Sequence, residues 1–363
     1  MSTDGQVFFS PDYFTARDRF RDAARRAGAT LDALTLEARG PRQEALTIDI
    51  ARLGDRRARR VLLHSSGLHG VEAFAGSAVQ LATLATPPSV PADCELVMIH
   101  VLNPYGMAWL RRVNENNVDL NRNFLATDER RETGSSLYRL LDPLLNPLSP
   151  PGADAFLLRL AAFALRHGLT ATRQAIAEGQ YDFPRGLFFG GTALEPGPRA
   201  YLDWIGRHFA QAERVFALDL HTGLGRKAES TLILEAGVGT ATAGDLERAL
   251  GSPIVDPAAG EAVYRIRGGM GAGLPRALPR ARVDFLLQEI GTYPALTVLR
   301  ALREENRCHH YLAGANLRHS AKLELLEALR PASAGWRKRA VVHGMSLAHA
   351  AAKWIFREAK GGA

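Results

Sequence analysis

His69-Gly-Val-Glu72 sets an imidazole and a carboxylate three residues apart, and Asp219-Leu-His221 supplies a second imidazole far downstream. His, Glu and His form the ligand set of a hydrolytic zinc site, where nitrogen and oxygen donors hold the cation and one position stays open for water. The first pair follows an apolar run, Arg60 to His64, and opens a helix-like stretch, Val71 to Leu84, so both side chains can face one point. His221 ends another apolar run, Val215 to Leu220, which reads as a buried strand with the histidine at its carboxyl end. Glu289 closes a third such run, Asp284 to Ile290.

Between the first pair and His221 come Asn103-Pro-Tyr-Gly106, then Arg111-Arg112-Val-Asn114, then Val118-Asp-Leu-Asn-Arg-Asn-Phe124. This ordered set resembles the zinc carboxypeptidases, the carboxypeptidase A-like metallopeptidases, from about residue 60 to residue 300. The resemblance implies one Zn²⁺ per chain on His69, Glu72 and His221, with Glu289 as general base and acid toward the attacking water. It implies that Asn121 and Arg122 grip a free carboxylate of the substrate and that Arg112 polarises the scissile carbonyl. By the same likeness Asp119 accepts a proton from His69, and Tyr264 covers bound substrate from a mobile loop. Met270 and Gly271 fall where such enzymes set their preference. No acid stands between Tyr264 and Asp284, so a C-terminal Lys or Arg is disfavoured and an uncharged or acidic terminal residue is expected.

The chemistry is coherent without the family. Zinc acidifies water and polarises a carbonyl; a carboxylate in reach moves the proton; an arginine stabilises a developing oxyanion. Asn plus Arg makes a fork for a carboxylate, and an Asp can orient a metal histidine. Each residue also has a plainer reading. Arg112 could be solvated charge, Asp119 a turn or helix cap, Asn121 a turn residue, Glu289 a strand-end surface acid and Tyr264 a loop anchor. Two departures blur the pocket: Asn117 stands where Gly usually precedes Val-Asp-Leu-Asn-Arg, and Thr222-Gly-Leu-Gly225 is glycine-rich. The combination resembles a bacterial branch of the superfamily described only as a domain of unknown function.

Positioning such residues requires several buried strands. Apolar runs at 45–51, 60–65, 95–102, 215–220, 230–235 and 283–290, separated by helical stretches, predict an α/β fold. Its sheet is expected to be mixed and mostly parallel, with helices on both faces, and such sheets bind ligands outside the carboxyl ends of their strands. No long Pro, Gly or Ser linker divides the 363 residues, which predicts one catalytic domain. An amphipathic helix is expected at 12–27, a helical insertion at about 153–210 with a break at Gly168, and C-terminal helices at about 295–359. The aromatic stretch Gln180 to Gly191 reads as plain core or as a pocket wall.

The net charge is +7, yet lysine occurs only at 227, 322, 338, 353 and 360, and arginine is spread without a basic run alternating with aromatics. That pattern argues against a nucleic-acid partner. Gly268 to Gly273 lacks the spacing of a nucleotide-binding loop. Two cysteines, the absence of an apolar leader and the absence of eighteen consecutive apolar residues predict a cytoplasmic protein without a membrane partner. Three functions compete: a metallocarboxypeptidase on small peptides, an amidohydrolase of N-acyl amino acids or cell-wall peptides, and a binding protein that keeps the fold without catalysis.

Overall fold

Three apolar segments form the parallel centre of an eight-stranded sheet: β3 (Arg60–Ser66), β5 (Arg214–Gly223) and β8 (Arg282–Gly291). They come from a computed structural model that describes residues 5–125, 136–235, 241–257, 265–313 and 316–357. All three are buried along almost their whole length, as strands covered on both faces must be, which explains their continuous rather than alternating hydrophobicity.

Flanking strands are β1 (Thr30–Arg39), β2 (Ala45–Gly54), β4 (Cys94–His100), β6 (Ser230–Leu234) and β7 (Ile254–Val255). The order across the sheet is β1-β2-β4-β3-β5-β8-β6-β7, with antiparallel pairing at β1–β2, β2–β4 and β8–β6 and parallel pairing elsewhere. The mixed, mostly parallel sheet expected from the sequence is therefore present. Two strands lie outside the expected set. β1 alternates at a half-exposed edge, and β7 is two residues long.

Alternate residues of the strands feed two cores. Val61, Leu63, Val215, Ala217 and Phe285 pack with Tyr201, Trp204 and Ile205 of one helix, α7 (Pro196–His208). Leu62, Leu96, Phe216 and Leu218 pack on the other face. There they meet α1 (Tyr13–Arg26), α2 (Ala73–Ala85), α8 (Ala243–Leu250) and α12 (Ala334–Ile355). Helix α2 is mostly apolar and buried from Ala73 to Leu84, the mark of a helix enclosed by its neighbours. It carries Gln80, whose amide binds the carbonyls of His64 and Ile99.

The remaining helices are α3 (Pro104–Ala108), α4 (Ser136–Leu145), α5 (Phe156–His167), α6 (Leu169–Ala177) and α9 (Gly273–Ala277). After β8 follow α10 (Ala295–Tyr311) and α11 (Ser320–Leu329), then α12. Asp12 caps α1 by accepting from the Thr15 N–H. Gly168, at φ 90°, breaks α5 from α6 at the expected place.

Candidate metal centre

The site lies at the carboxyl ends of β3, β5 and β8. His69 and Glu72 occupy the turn between β3 and α2, where Gly70, Val71 and Glu72 form one 3₁₀ turn. A Cβ on Gly70 would stand 2.2 Å from the backbone of Gly106, so these two backbone segments touch without side chains between them. That contact gives the Asn-Pro-Tyr-Gly motif a physical role. Asn103 Oδ1 accepts from the Gly106 N–H at 2.8 Å and so turns Gly106 against Gly70. The turn is held again by the Gly70 and Val71 N–H groups, which donate to the carbonyls of Arg112 and Arg111.

His69, Glu72 and His221 converge and are all buried. His69 Nδ1 lies 3.1 Å from Glu72 Oε1 and 3.2 Å from His221 Nδ1, and His221 Nδ1 lies 3.7 Å from Glu72 Oε2. Donors held tetrahedrally at about 2.0–2.2 Å from one cation stand about 3.4 Å apart. The three side chains therefore fit a single ion, with both histidines presenting Nδ1.

Each histidine has a carboxylate behind it. His69 Nε2 is 3.1 Å from Asp119 Oδ1, and His221 Nε2 is 2.5 Å from Asp219 Oδ2. A carboxylate at Nε2 favours a proton there, which leaves Nδ1 for a metal. Asp219 is held in turn by Ser65 Oγ at 2.6 Å. Asp219 is a site residue beyond those expected, and its signal is the Asp-x-His spacing on a strand, since residues two apart share a face. Asp119 combines the two readings open to it: Oδ1 also accepts from the Asn121 N–H as the cap of a short turn.

Arg112 spans this cluster. Its Nη1 donates to Glu72 Oε1 at 2.8 Å, Nε donates to Asp119 Oδ2 at 3.2 Å, and Nη2 is 2.8 Å from His69 Nε2. The other oxygen of Glu72 accepts from the Thr222 N–H at 2.9 Å. Glu289 lies opposite His221 in the β5–β8 register and is buried.

The electrostatics match a cation. Burial would raise the pKa values of Glu72 and Asp119, but His69 and Arg112 outweigh it and keep both carboxyls below their ordinary range. Burial would lower His221, yet Asp219, Glu289 and Glu72 push it up to about 9. Glu289 is raised to about 7 by burial, with Glu72 adding and His221 opposing. Carboxylates outnumber the cationic groups here, a surplus that a bound divalent ion would offset.

Arg122 and Asn121 are buried beside Met270. Arg122 donates through Nε and Nη2 to the Ala177 carbonyl, at 3.1 and 2.6 Å, and through Nη1 to that of Asn121 at 3.0 Å. Asn121 Oδ1 accepts from the Met270 N–H at 3.1 Å. The aromatic stretch reaches both arginines: the Phe188 ring lies 5.7 Å from Arg112 Cζ and 5.9 Å from Arg122 Cζ. It thus serves as core and as site wall together. Tyr264 lies outside the described residues.

The acid-free pocket expected around Met270 and Gly271 needs correction. Glu235, just past β6, accepts from the Gly271 and Ala272 N–H groups at 2.9 and 3.1 Å. The acid comes from another strand end, which a scan along the 264–284 segment could not reveal. Asn117 also receives an account. It adopts φ 59°, a left-handed conformation suited to Gly or Asn, and its amide binds Arg111 Nη2 and the carbonyls of Pro184 and Gly186.

Residues 9–343 match the family described as "Protein of unknown function (DUF2817)". The chain belongs to this family. No protein of curated description matches this DUF2817 member. Among solved structures it is similar to carboxypeptidase A from Helicoverpa armigera, at 14% identity and TM-score 0.49, over 94% of this chain and 74% of that one. It is also similar to the murein-tripeptide amidase MpaA from Escherichia coli O157, at 16% identity and TM-score 0.39, over 76% and 91%. A third is thrombin activatable fibrinolysis inhibitor, at 11% identity and TM-score 0.44, over 92% and 74%. The DUF2817 description names no activity.

Proposed function

We propose that this DUF2817 protein is a zinc-dependent hydrolase that cleaves an amide or peptide bond next to a free carboxylate, in the manner of a metallocarboxypeptidase. The observation that carries the reading is the convergence of His69, Glu72 and His221 with Glu289 in register beside them. A zinc ion held by those three side chains would supply Lewis acidity toward water and the substrate carbonyl.

The chain's own groups would do the rest. Glu289, held near neutrality by burial, would take a proton from the attacking water and deliver it to the leaving amine. Asp119 and Asp219 would keep the histidine tautomers fixed. Arg112, already aimed at the ligand cluster, would turn a guanidinium toward the developing oxyanion. Asn121 and Arg122 would meet the substrate carboxylate, and Tyr264 would cover it. The position of Glu289 beside the ligands speaks against a binding protein that has lost catalysis.

A second reading has its own support. Arg122 already donates to two protein carbonyls, which favours an amidase or deacylase that grips its substrate less by a terminal carboxylate. The deciding assay offers zinc-loaded protein free-acid and C-terminally amidated peptides, N-acyl amino acids and muropeptides. Amidation should cost about a hundredfold in kcat/KM if the carboxylate is gripped in a buried site. Equal rates on both forms would refute the clamp. Turnover of N-acyl amino acids alone would replace the carboxypeptidase reading with the deacylase one.

A further inference from the structure

Helix α5 protrudes from the inserted segment with only Phe156 and Leu160 buried. Its outer surface is ordered by residue type. Leu157, Ala161 and Leu165 follow at four-residue spacing with Leu158 beside them, so they form one apolar strip. The strip faces solvent: Leu157 is 48% exposed, Leu158 77% and Leu165 90%. Leu169, at the start of α6, extends it at 56%. Arg159 and Arg166, seven residues apart and both exposed, run along one edge. From Phe156 to Ala177 there is no Asp or Glu, while Arg173 adds a further exposed cation. Glu178 follows directly, at the far end of α6; of the other flanking acids, Asp154 is occupied by Arg303 and Arg307, at 2.6 and 3.4 Å, and Asp182 by Arg139 at 3.0 Å.

We infer that α5 and the start of α6 form a docking surface for an anionic lipid bilayer, lying in the headgroup plane with the leucine strip inserted. A solvent-exposed apolar strip edged by arginine is the pattern of an interfacial helix, and anionic headgroups complement its acid-free charge. A second copy of the chain fits less well. Pairing two such strips face to face would bring arginine edges together without an acid to compensate. The expectation of no membrane partner rested on the lack of a spanning run. No helix among the described residues is long and apolar enough to cross a membrane, but a helix lying on the surface needs no such length. Helix α6 also supplies the Ala177 carbonyl that holds Arg122, so the surface belongs to the same insertion that walls the candidate site.

The test is sedimentation of the full chain with vesicles of phosphatidylglycerol and phosphatidylcholine, against phosphatidylcholine alone, at low and high salt. Binding should appear on the anionic vesicles and weaken in high salt. The double variant Leu158→Glu/Leu165→Glu should lower partitioning about tenfold or more, since two inserted leucines are lost. Arg159→Glu/Arg166→Glu should do the same on anionic vesicles. These positions are exposed, so circular dichroism and melting temperature should be unchanged in both variants. Absence of wild-type binding to anionic vesicles at low salt overturns the inference, as does binding indifferent to both variants. A wild-type dimer that Leu158→Glu/Leu165→Glu breaks, without vesicle binding, reassigns the strip to a second copy.

Discussion

Asp219 and His221 project from the same face of β5, and Asp219 Oδ2 stands 2.5 Å from His221 Nε2. The pair mirrors Asp119 behind His69, so each imidazole has a carboxylate oxygen beside its Nε2. Asp219→Asn should preserve the fold and weaken zinc binding by about tenfold to a hundredfold, the usual cost of losing a group that orients a metal histidine. Competition against a chromophoric chelator measures this directly. Unaltered affinity would reduce Asp219 to a buried partner of Ser65.

Ligand and base variants should separate binding from chemistry. The wild-type protein should carry about one zinc per chain, and His69→Ala or His221→Ala should lose it, because two protein ligands make a poor site. Glu289→Gln should retain metal and melting temperature while kcat falls about 10²- to 10⁴-fold. In the wild type the base form of Glu289 must be present, so kcat/KM should fall on the acid side as Glu289 takes up a proton, at a pH that burial raises and a bound cation would lower. Metal analysis and a pH profile check both. A metal-free preparation with full activity would remove the assignment altogether.

Much of this was legible from residue order because strand ends carry the chemistry. A buried strand of a parallel sheet reads as a continuous apolar run, so His221 and Glu289 could be placed at run ends, and the register sets them side by side. Edge strands escaped for the opposite reason. Half-exposed β1 has a weak apolar signal and β7 is too short to have one. Contacts between distant segments were equally hidden. Glu235 meets Gly271 from another strand, and the buried Arg111–Glu305 pair joins the loop before Arg112 to α10. Neither pairing leaves a periodicity to read.

That buried pair makes a stability prediction. Glu305 Oε1 accepts from Arg111 Nε at 3.0 Å and from Lys322 Nζ at 2.7 Å. Burial alone would raise its pKa, but the two cations pull it down to about 2. A carboxylate depressed below its ordinary value of about 4.3 stabilises the fold fully above that value and loses the contribution as pH falls from there toward 2. Its size is on the order of 3 kcal/mol. Glu305→Gln should lower stability at neutral pH by about 3–5 kcal/mol, since it strands two buried cations, and should flatten the acid limb between pH 4.5 and 2. Urea titrations across that range test it, and a variant with unchanged acid sensitivity would place the acid-labile group elsewhere.

Glu235 bears on which terminal residue the site accepts. Its carboxylate holds Gly271 and Ala272, in the stretch that the resemblance to zinc carboxypeptidases ties to selectivity, and both Arg122 and His221 feel its charge. Burial raises its pKa while the two N–H donors and Arg122 oppose that rise. If the ionised carboxylate faces the substrate side chain, a basic terminal residue gains and an acidic one is repelled, which reverses the preference expected from the acid-free segment. Charges separated by about 8 Å at a protein surface interact by roughly 2 kcal/mol, so Glu235→Gln should swing the ratio of kcat/KM for basic over acidic terminal residues by about tenfold or more toward acidic. The measurement is a matched series of peptides differing only in the last residue. An unchanged ratio, with altered kcat for every substrate alike, would leave Glu235 as a backbone clamp that shapes the Met270–Ala272 turn and reads no charge.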